Sequence, residues 1–359
     1  MKFVHVADIH LDRPFVKLSD KGNLGNLKRI EQKKIFKEVI EYIKENDIEC
    51  LFIAGDLYEH KYVKESTIEY INKLFHEIKN TKVFITPGNH DPNIKNSYYN
   101  KFNWSENVVI FSKEIKKVEL EDTDIYGFGF TDFYCREIEL DGLEIENKNK
   151  NNVLIMHGNL DGAKLDDKEY NPIKSKTLGS KGFDYVALGH IHKTNFGESK
   201  NIIYPGSLVS LGFDEIGNHG MIVGEINNKN LEINFVPLGG STFVEKEIDI
   251  TNIYSIEELI QKIEEIRVEE NEYMKINLTG KRNFEIDVYY IYSMVQNMRI
   301  IKIKDLTEIK YDYKELKNEN TLRGLFVKNM MKQLEEENLT DEKRKILEHG
   351  IEIGLEVLK

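Results

Sequence analysis

Five short apolar runs, at 3–7, 50–54, 83–86, 153–156 and 185–188, each lead into a cluster of glycine, aspartate, asparagine or histidine, and this arrangement constrains the fold most. Runs this short, rich in β-branched and aromatic residues, read as strands buried on both faces. Helical spacing at 27–46 and 63–79 separates the first three and gives a βαβαβ opening. The expected class is α/β. Such sheets carry their sites beyond the carboxyl ends of the strands. The clusters that follow the runs are Asp8-Ile9-His10, Gly55-Asp56, Gly88-Asn89-His90-Asp91, His157-Gly158 and Gly189-His190-Ile191-His192. All five are therefore expected at one sheet edge, with Gly55, Gly88, Gly158 and Gly189 letting the backbone turn there.

The residue types narrow the chemistry to a two-metal hydrolase. The imidazoles of His10, His157, His190 and His192, the carboxylates of Asp8 and Asp56 and the amide of Asn89 suit Mn²⁺, Fe²⁺, Zn²⁺ or Ni²⁺. Ca²⁺ and Mg²⁺ prefer all-oxygen shells. This set is too large for one tetrahedral site. If Asp56 bridges, Asp8, His10 and His192 complete one ion and Asn89, His157 and His190 the other, at the roughly 3.5–4 Å separation of two-metal sites. Two dications against two aspartates leave net positive charge, which attracts a phosphate. Apart from His90, the remaining histidines, His5, His60, His76, His219 and His349, read as satisfied core residues.

The order Asp-x-His, Gly-Asp, Gly-Asn-His-Asp, His and Gly-His-x-His resembles the calcineurin-like metallophosphoesterases over residues 1–240. Within them, the opening from Phe3 to Asp12 and the phrase Gly55-Asp56-Leu57-Tyr58 resemble the SbcD-type DNA repair nucleases, in particular their shorter YhaO-like branch. The resemblance implies a two-sheet sandwich flanked by helices, the same seven metal ligands, manganese as the favoured ion, and a transition-state role for His90. An imidazole can also donate the proton a leaving oxygen needs. Its neighbour Asp91 either orients it or finishes the turn, and orientation is the expectation. Relatives vary after the Gly-Asp phrase, and Glu59-His60 is read here as a solvated loop.

With 359 residues, more than one unit is expected. The expected divisions are a nuclease domain at 1–240, a small α/β capping domain at 241–310 and a helical partner-binding segment at 311–359. Short strands with glycine-rich turns across 201–237 should form a second sheet on the first. A capping-box start at Ser255-Ile256-Glu257-Glu258 and strands near 273–278 and 299–303 mark the cap. Leu322, Leu325, Phe326, Met330 and Leu334 form one terminal apolar stripe, and Ile346, Leu347, Ile351, Leu355 and Leu358 another.

The formal net charge of −12 counts against a protein whose whole surface coats DNA, though a local field can still hold it. Lys28, Arg29, Lys33 and Lys34 read as a solvated helix face. Tyr98, Tyr99, Phe102 and Trp104 read as packing or subunit contact. Cys50 and Cys135 lack CxxC spacing, and no apolar stretch reaches membrane-spanning length, so a cytoplasmic setting without membrane attachment is expected. No phosphate-binding Gly-x-x-x-x-Gly-Lys-Ser/Thr loop occurs. The resemblance therefore implies a separate SbcC-like ABC ATPase with a coiled coil, a homodimer built near 63–79 and 98–104, and DNA as substrate. The favoured function is Mn²⁺-dependent exonuclease, with endonuclease activity, in double-strand-break repair. The rivals are a metallophosphatase or cyclic-nucleotide phosphodiesterase and a non-catalytic scaffold protein.

Overall fold

The computed structural model describes residues 1–19, 22–134, 140, 142–161, 172–336 and 339–358. Cys135, Glu337 and Lys359 lie outside them. The chain divides into two compact units: Met1–Glu245 with Val268–Lys275, and Lys246–Arg267 with Ile276–Lys359.

The first unit is a two-sheet sandwich. One sheet runs in the order Asn230–Pro237, Gly220–Asn227, Lys2–Val6, Cys50–Ile53, Lys82–Ile85 and Val108–Ile110. The last four strands are parallel, and the hairpin pairs antiparallel to the Lys2–Val6 edge with Lys2 opposite Glu225. The second sheet runs Ile202–Ile203, Tyr185–Gly189, Asn151–His157, Thr123–Gly127 and Lys116–Glu119, parallel except for its last pair. The five sequence runs are thus split, three in one sheet and two in the other. The expectation for 201–237 is corrected: 220–237 extends the first sheet, and only Ile202–Ile203 joins the second. The hairpin's alternating burial explains this, because Ile222 and Ile226 face the inter-sheet core while Glu225 and Asn227 face solvent.

Phe3, Phe52 and Phe84 from one sheet interdigitate with Val153, Ile155, Tyr185 and Ala187 from the other. Phe3 and Tyr185 approach to 4.7 Å between ring centroids. Alternation puts Val4, Val6, Leu51 and Ile53 on the opposite face, fully buried. The apolar stripes of the helices Leu24–Glu45 and Glu65–Glu77 supply the cover, with Phe36 and Phe75 edge to face. A third layer, around Leu154, Met156, Val186 and Leu188, packs on Leu178 of the helix Ser175–Ser180. Only glycine fits where the two sheet ends converge: a Cβ on Gly189 would collide with the Ala54 carbonyl, and one on Gly55 with the His157 ring.

In the second unit, the strands Thr242–Asp249 and Glu272–Thr279 continue from the first unit and pair in the order Thr242–Asp249, Glu272–Thr279, Ile300–Asp305. The helix Ile256–Glu264 starts on Ser255, whose hydroxyl accepts from the Glu258 amide at 3.2 Å. The helices Leu322–Leu334 and Asp341–Val357 are capped by Thr321 and Thr340 and enclose Leu316, Val327, Ile351 and Leu355. The first stripe is shifted from expectation. Val327 is buried and Phe326 packs against Gly354, whereas Leu322 and Leu325 point to solvent. Among the described residues, no helix is long and apolar enough to cross a membrane.

Single-residue expectations divide, with packing found for His5, His219 and the aromatic segment and corrections needed for His76, His349 and Lys28. His5 and His219 are buried and bonded, to Tyr185 and Ser207, but His76 and His349 are exposed. Lys28 is fully buried, donating to Glu31 at 2.9 Å and to the Ser241 hydroxyl at 3.0 Å. The aromatic segment after the Gly-Asn-His-Asp loop packs inward, with Tyr99 against Tyr58 and Trp104 against Phe75.

Candidate metal centre

Asp8, His10, Asp56, Asn89, His157, His190 and His192 converge where the strand ends of both sheets meet. Three overlapping sets hold donor atoms within 4.8 Å of one another: Asp8 with His10 and His192, His10 with Asp56 and His90, and Asp8 with Asp56 and His157. The backbone is bent to bring them there. Asp8, His10, Asp56 and His190 have φ of 51°, 50°, 54° and 106°, left-handed conformations that cost L-residues strain and collect at functional sites. The strain is held by hydrogen bonds between the loops, from the Asp8 amide to the Gly55 carbonyl at 3.1 Å and from the His10 amide to the Asp56 carbonyl at 2.9 Å.

The donor atoms fit divalent cations. The His157 Nδ1 lies 2.9 Å from the Ala54 carbonyl, which can only accept, so Nδ1 carries the proton. Its bare Nε2 then faces the Asn89 Oδ1 at 3.0 Å and the Asp56 Oδ2 at 3.5 Å, acceptor against acceptors. On the other side two imidazole nitrogens meet, with room for one proton or one cation between them. His10 Nδ1 is turned to Glu59 at 3.0 Å and His192 Nδ1 to Glu215 at 2.5 Å, leaving their two Nε2 atoms facing each other at 3.2 Å. Nitrogen and oxygen lone pairs aimed at one another in this way suit a proton or a metal cation between them. A carboxylate or carbonyl behind each imidazole is also the usual support of metal-binding histidines.

The charges agree. Burial pushes Asp8 above the ordinary carboxylate range, although His192 and His157 pull it down. Burial acts the same way on Asp56, yet His157, His90 and His10 hold it well below that range, so it is ionised. Burial depresses His10, and burial together with His157 brings His190 to about 3, leaving both neutral and able to bind a cation.

Glu59 departs from the expectation of a solvated loop: it is buried, with one oxygen 3.0 Å from His10 Nδ1 and the other 2.9 Å from His90 Nδ1. Its carboxyl falls to about 2, because those two imidazoles outweigh burial. The orienting contact to His90 therefore comes from Glu59. Asp91 instead accepts from the amides of Gly88, Asp56 and Leu57 at 2.7, 3.1 and 2.7 Å and from the Tyr99 hydroxyl at 2.6 Å. It finishes the turn, which corrects the expectation for that residue. The His90 amide donates to the Asp56 Oδ1 at 2.8 Å, tying this loop to the centre.

A family model described as calcineurin-like phosphoesterase matches residues 1–194. The uncharacterized metallophosphoesterase YhaO of Bacillus subtilis is 26% identical over 277 residues, covering 74% of this chain and 67% of the relative. The SbcD subunit of the SbcCD nuclease from Staphylococcus epidermidis is 29% identical over 378 residues, covering 93% of this chain and 94% of the relative.

Proposed function

The chain belongs to the calcineurin-like phosphoesterase family, and from that premise we propose that it is a Mn²⁺-dependent DNA exonuclease, with accompanying endonuclease activity, acting in double-strand-break repair. One observation carries the choice of substrate. The likeness to the nuclease relative spans 93% of the chain and so runs through the second unit, whereas the family model ends at residue 194. A phosphoesterase centre alone serves phosphatases and nucleases equally. A small-molecule phosphatase needs no added α/β and helical unit, and we assign that unit to the selection of DNA.

We assign Asp8, His10 and His192 to one ion and Asn89, His157 and His190 to the other, with Asp56 shared. Divalent ions in such a centre neutralise phosphoryl charge and acidify water. His90, fixed by Glu59, protonates the leaving oxygen or stabilises the charge on it. Next to it, the His60 amide bonds the His90 carbonyl at 3.0 Å, and the positive charges of Lys61 and Lys101 act on the His60 ring. On a chain of net charge −12, these two lysines beside His60 would favour a polyanion held locally.

The test is hydrolysis of linear duplex and single-stranded DNA with Mn²⁺, beside a chromogenic phosphodiester and a phosphomonoester. Both DNAs and the diester should be cleaved. Efficient phosphomonoester cleavage with DNA untouched would transfer the function to a small-molecule phosphatase.

The name of the nuclease relative also supports assembly with a second protein, and we propose an ATPase of the SbcC type, a cytoplasmic setting and a homodimer. Leu322 and Leu325, 70% and 56% exposed, are the proposed docking residues. Leu325→Glu should abolish co-purification with the ATPase while changing stability by no more than about 0.5 kcal/mol, as for other exposed positions. Retained association would remove Leu325 from the interface.

A further inference from the structure

Glu215 belongs to none of the sequence motifs, yet both of its carboxylate oxygens are held beside the centre. Its Oε1 lies 2.5 Å from His192 Nδ1. Its Oε2 accepts from the Ser207 hydroxyl at 2.9 Å and the Leu211 amide at 3.0 Å. Its own carbonyl accepts from His219 Nε2 at 2.8 Å and the Ser210 hydroxyl at 3.3 Å. Ser207 is in turn tied back to the metal-site loop, its amide donating to the His192 carbonyl at 2.9 Å.

The surrounding loop is seated as well. Phe213 packs edge to face on Phe243 at 4.9 Å, and Phe243 lies 5.3 Å from Tyr273. The buried Lys28 ammonium sits 5.8 Å from the Phe243 ring centroid. The helix bearing Lys28 also carries Gln32, whose amide donates to the Ile9 and His10 carbonyls at 2.9 and 3.0 Å. The helix Leu24–Glu45 therefore holds the His10 loop through Gln32 and reaches, through Lys28, the aromatic cluster on which Phe213 sits.

We propose that Glu215 is a positioning residue of the hydrolytic centre: it fixes the His192 tautomer so that Nε2 presents a lone pair to a divalent cation. This rests on the metal-centre reading above but needs no assumption about the substrate. With Glu215 accepting, a His192 proton stays on Nδ1, and Nε2, 3.2 Å from His10 Nε2, is the nitrogen whose lone pair is available to a cation. Glutamine reverses this arrangement. The Leu211 amide is an obligatory donor, so the single glutamine oxygen goes to it and the amide group turns to His192 Nδ1. His192 must then carry its proton on Nε2, where the cation would bind.

The experiment is titration of the metal-free full chain with Mn²⁺ alone, following free Mn²⁺ by its electron paramagnetic resonance signal. Loss of a supporting partner typically weakens metal affinity about 10–100-fold. Glu215→Gln should weaken one of the two ions by that factor and leave the other near its original affinity. Asp214→Asn, at the exposed neighbouring position, should titrate like the unaltered chain. If Glu215→Gln fails to fold, Ser207→Ala decides, since it removes only one donor to Oε2 and should weaken the same ion several-fold. Unaltered affinity for both ions in a folded Glu215→Gln, or in Ser207→Ala if only that variant folds, overturns the proposal. A wild-type chain that binds Mn²⁺ but spares DNA would sink the nuclease reading and leave this one intact.

Discussion

Asp56→Ala is expected to empty the centre of both ions and reduce hydrolysis to background. Asp56 is the carboxylate that faces both sides, with Oδ2 3.7 Å from His10 Nε2 and 3.5 Å from His157 Nε2. Without it, two dications would have only Asp8 as an anionic ligand among the buried side chains of His10 and His157. Uncompensated buried charge of that size is not retained. Alanine also removes the acceptor for the His90 amide, so Asp56→Asn is the companion: it keeps an oxygen for that bond and removes the charge. Both variants should lose both ions under dialysis, while Asn should keep the thermal stability of the metal-free wild type. The measurement is metal content per chain beside a melting curve. Two ions bound to Asp56→Ala would end the assignment of Asp56 as the shared ligand.

Much of this centre was legible in the sequence because its parts follow strands. A buried strand announces itself by an apolar run, and the residue just past it stands at the sheet edge, so Asp8, Asp56, His157 and His190 could be located without contacts. The division of the five runs between two sheets was not legible from the runs themselves, since a parallel buried strand reads the same in either sheet. The hairpin 220–237 was misplaced for a related reason: its glycine turns specify a hairpin but not the edge it joins. Glu59 and Glu215 were missed because a glutamate in a loop carries no periodicity. Only the folded chain puts Glu59 between His10 and His90, and Glu215 behind His192. Lys28 misled in the opposite direction, because a lysine within a charged helical stretch reads as solvated until Glu31 and Ser241 close over it.

His90→Asn is expected to separate proton donation from metal binding. One donor set groups His90 with His10 and Asp56, which would make it a ligand. Its Nδ1 is nevertheless taken by Glu59 at 2.9 Å, and its side chain is 40% exposed, far more than His10 or Asp56. That geometry favours a group that meets the substrate. Burial would lower its pKa, but the Glu59 hydrogen bond and the Asp56 charge raise it to about 9, so it holds a proton at neutral pH in the metal-free chain. A raised pKa contributes stability that is complete below the unfolded value of about 6.5 and is lost as pH climbs toward 9. The metal-free wild type should therefore lose stability across that window, and His90→Asn should lose less, because only the raised His192 then remains to titrate there. In the metal-loaded enzyme the variant should keep both ions. A DNA alkoxide leaves poorly without a proton, whereas nitrophenolate needs none, so cleavage of DNA should fall by about 10²–10⁴-fold. Cleavage of bis(p-nitrophenyl) phosphate should stay within about tenfold, roughly 1.4 kcal/mol of transition-state energy. Equal losses on both substrates, accompanied by a missing ion, would instead make His90 a ligand and leave the leaving oxygen without an identified donor.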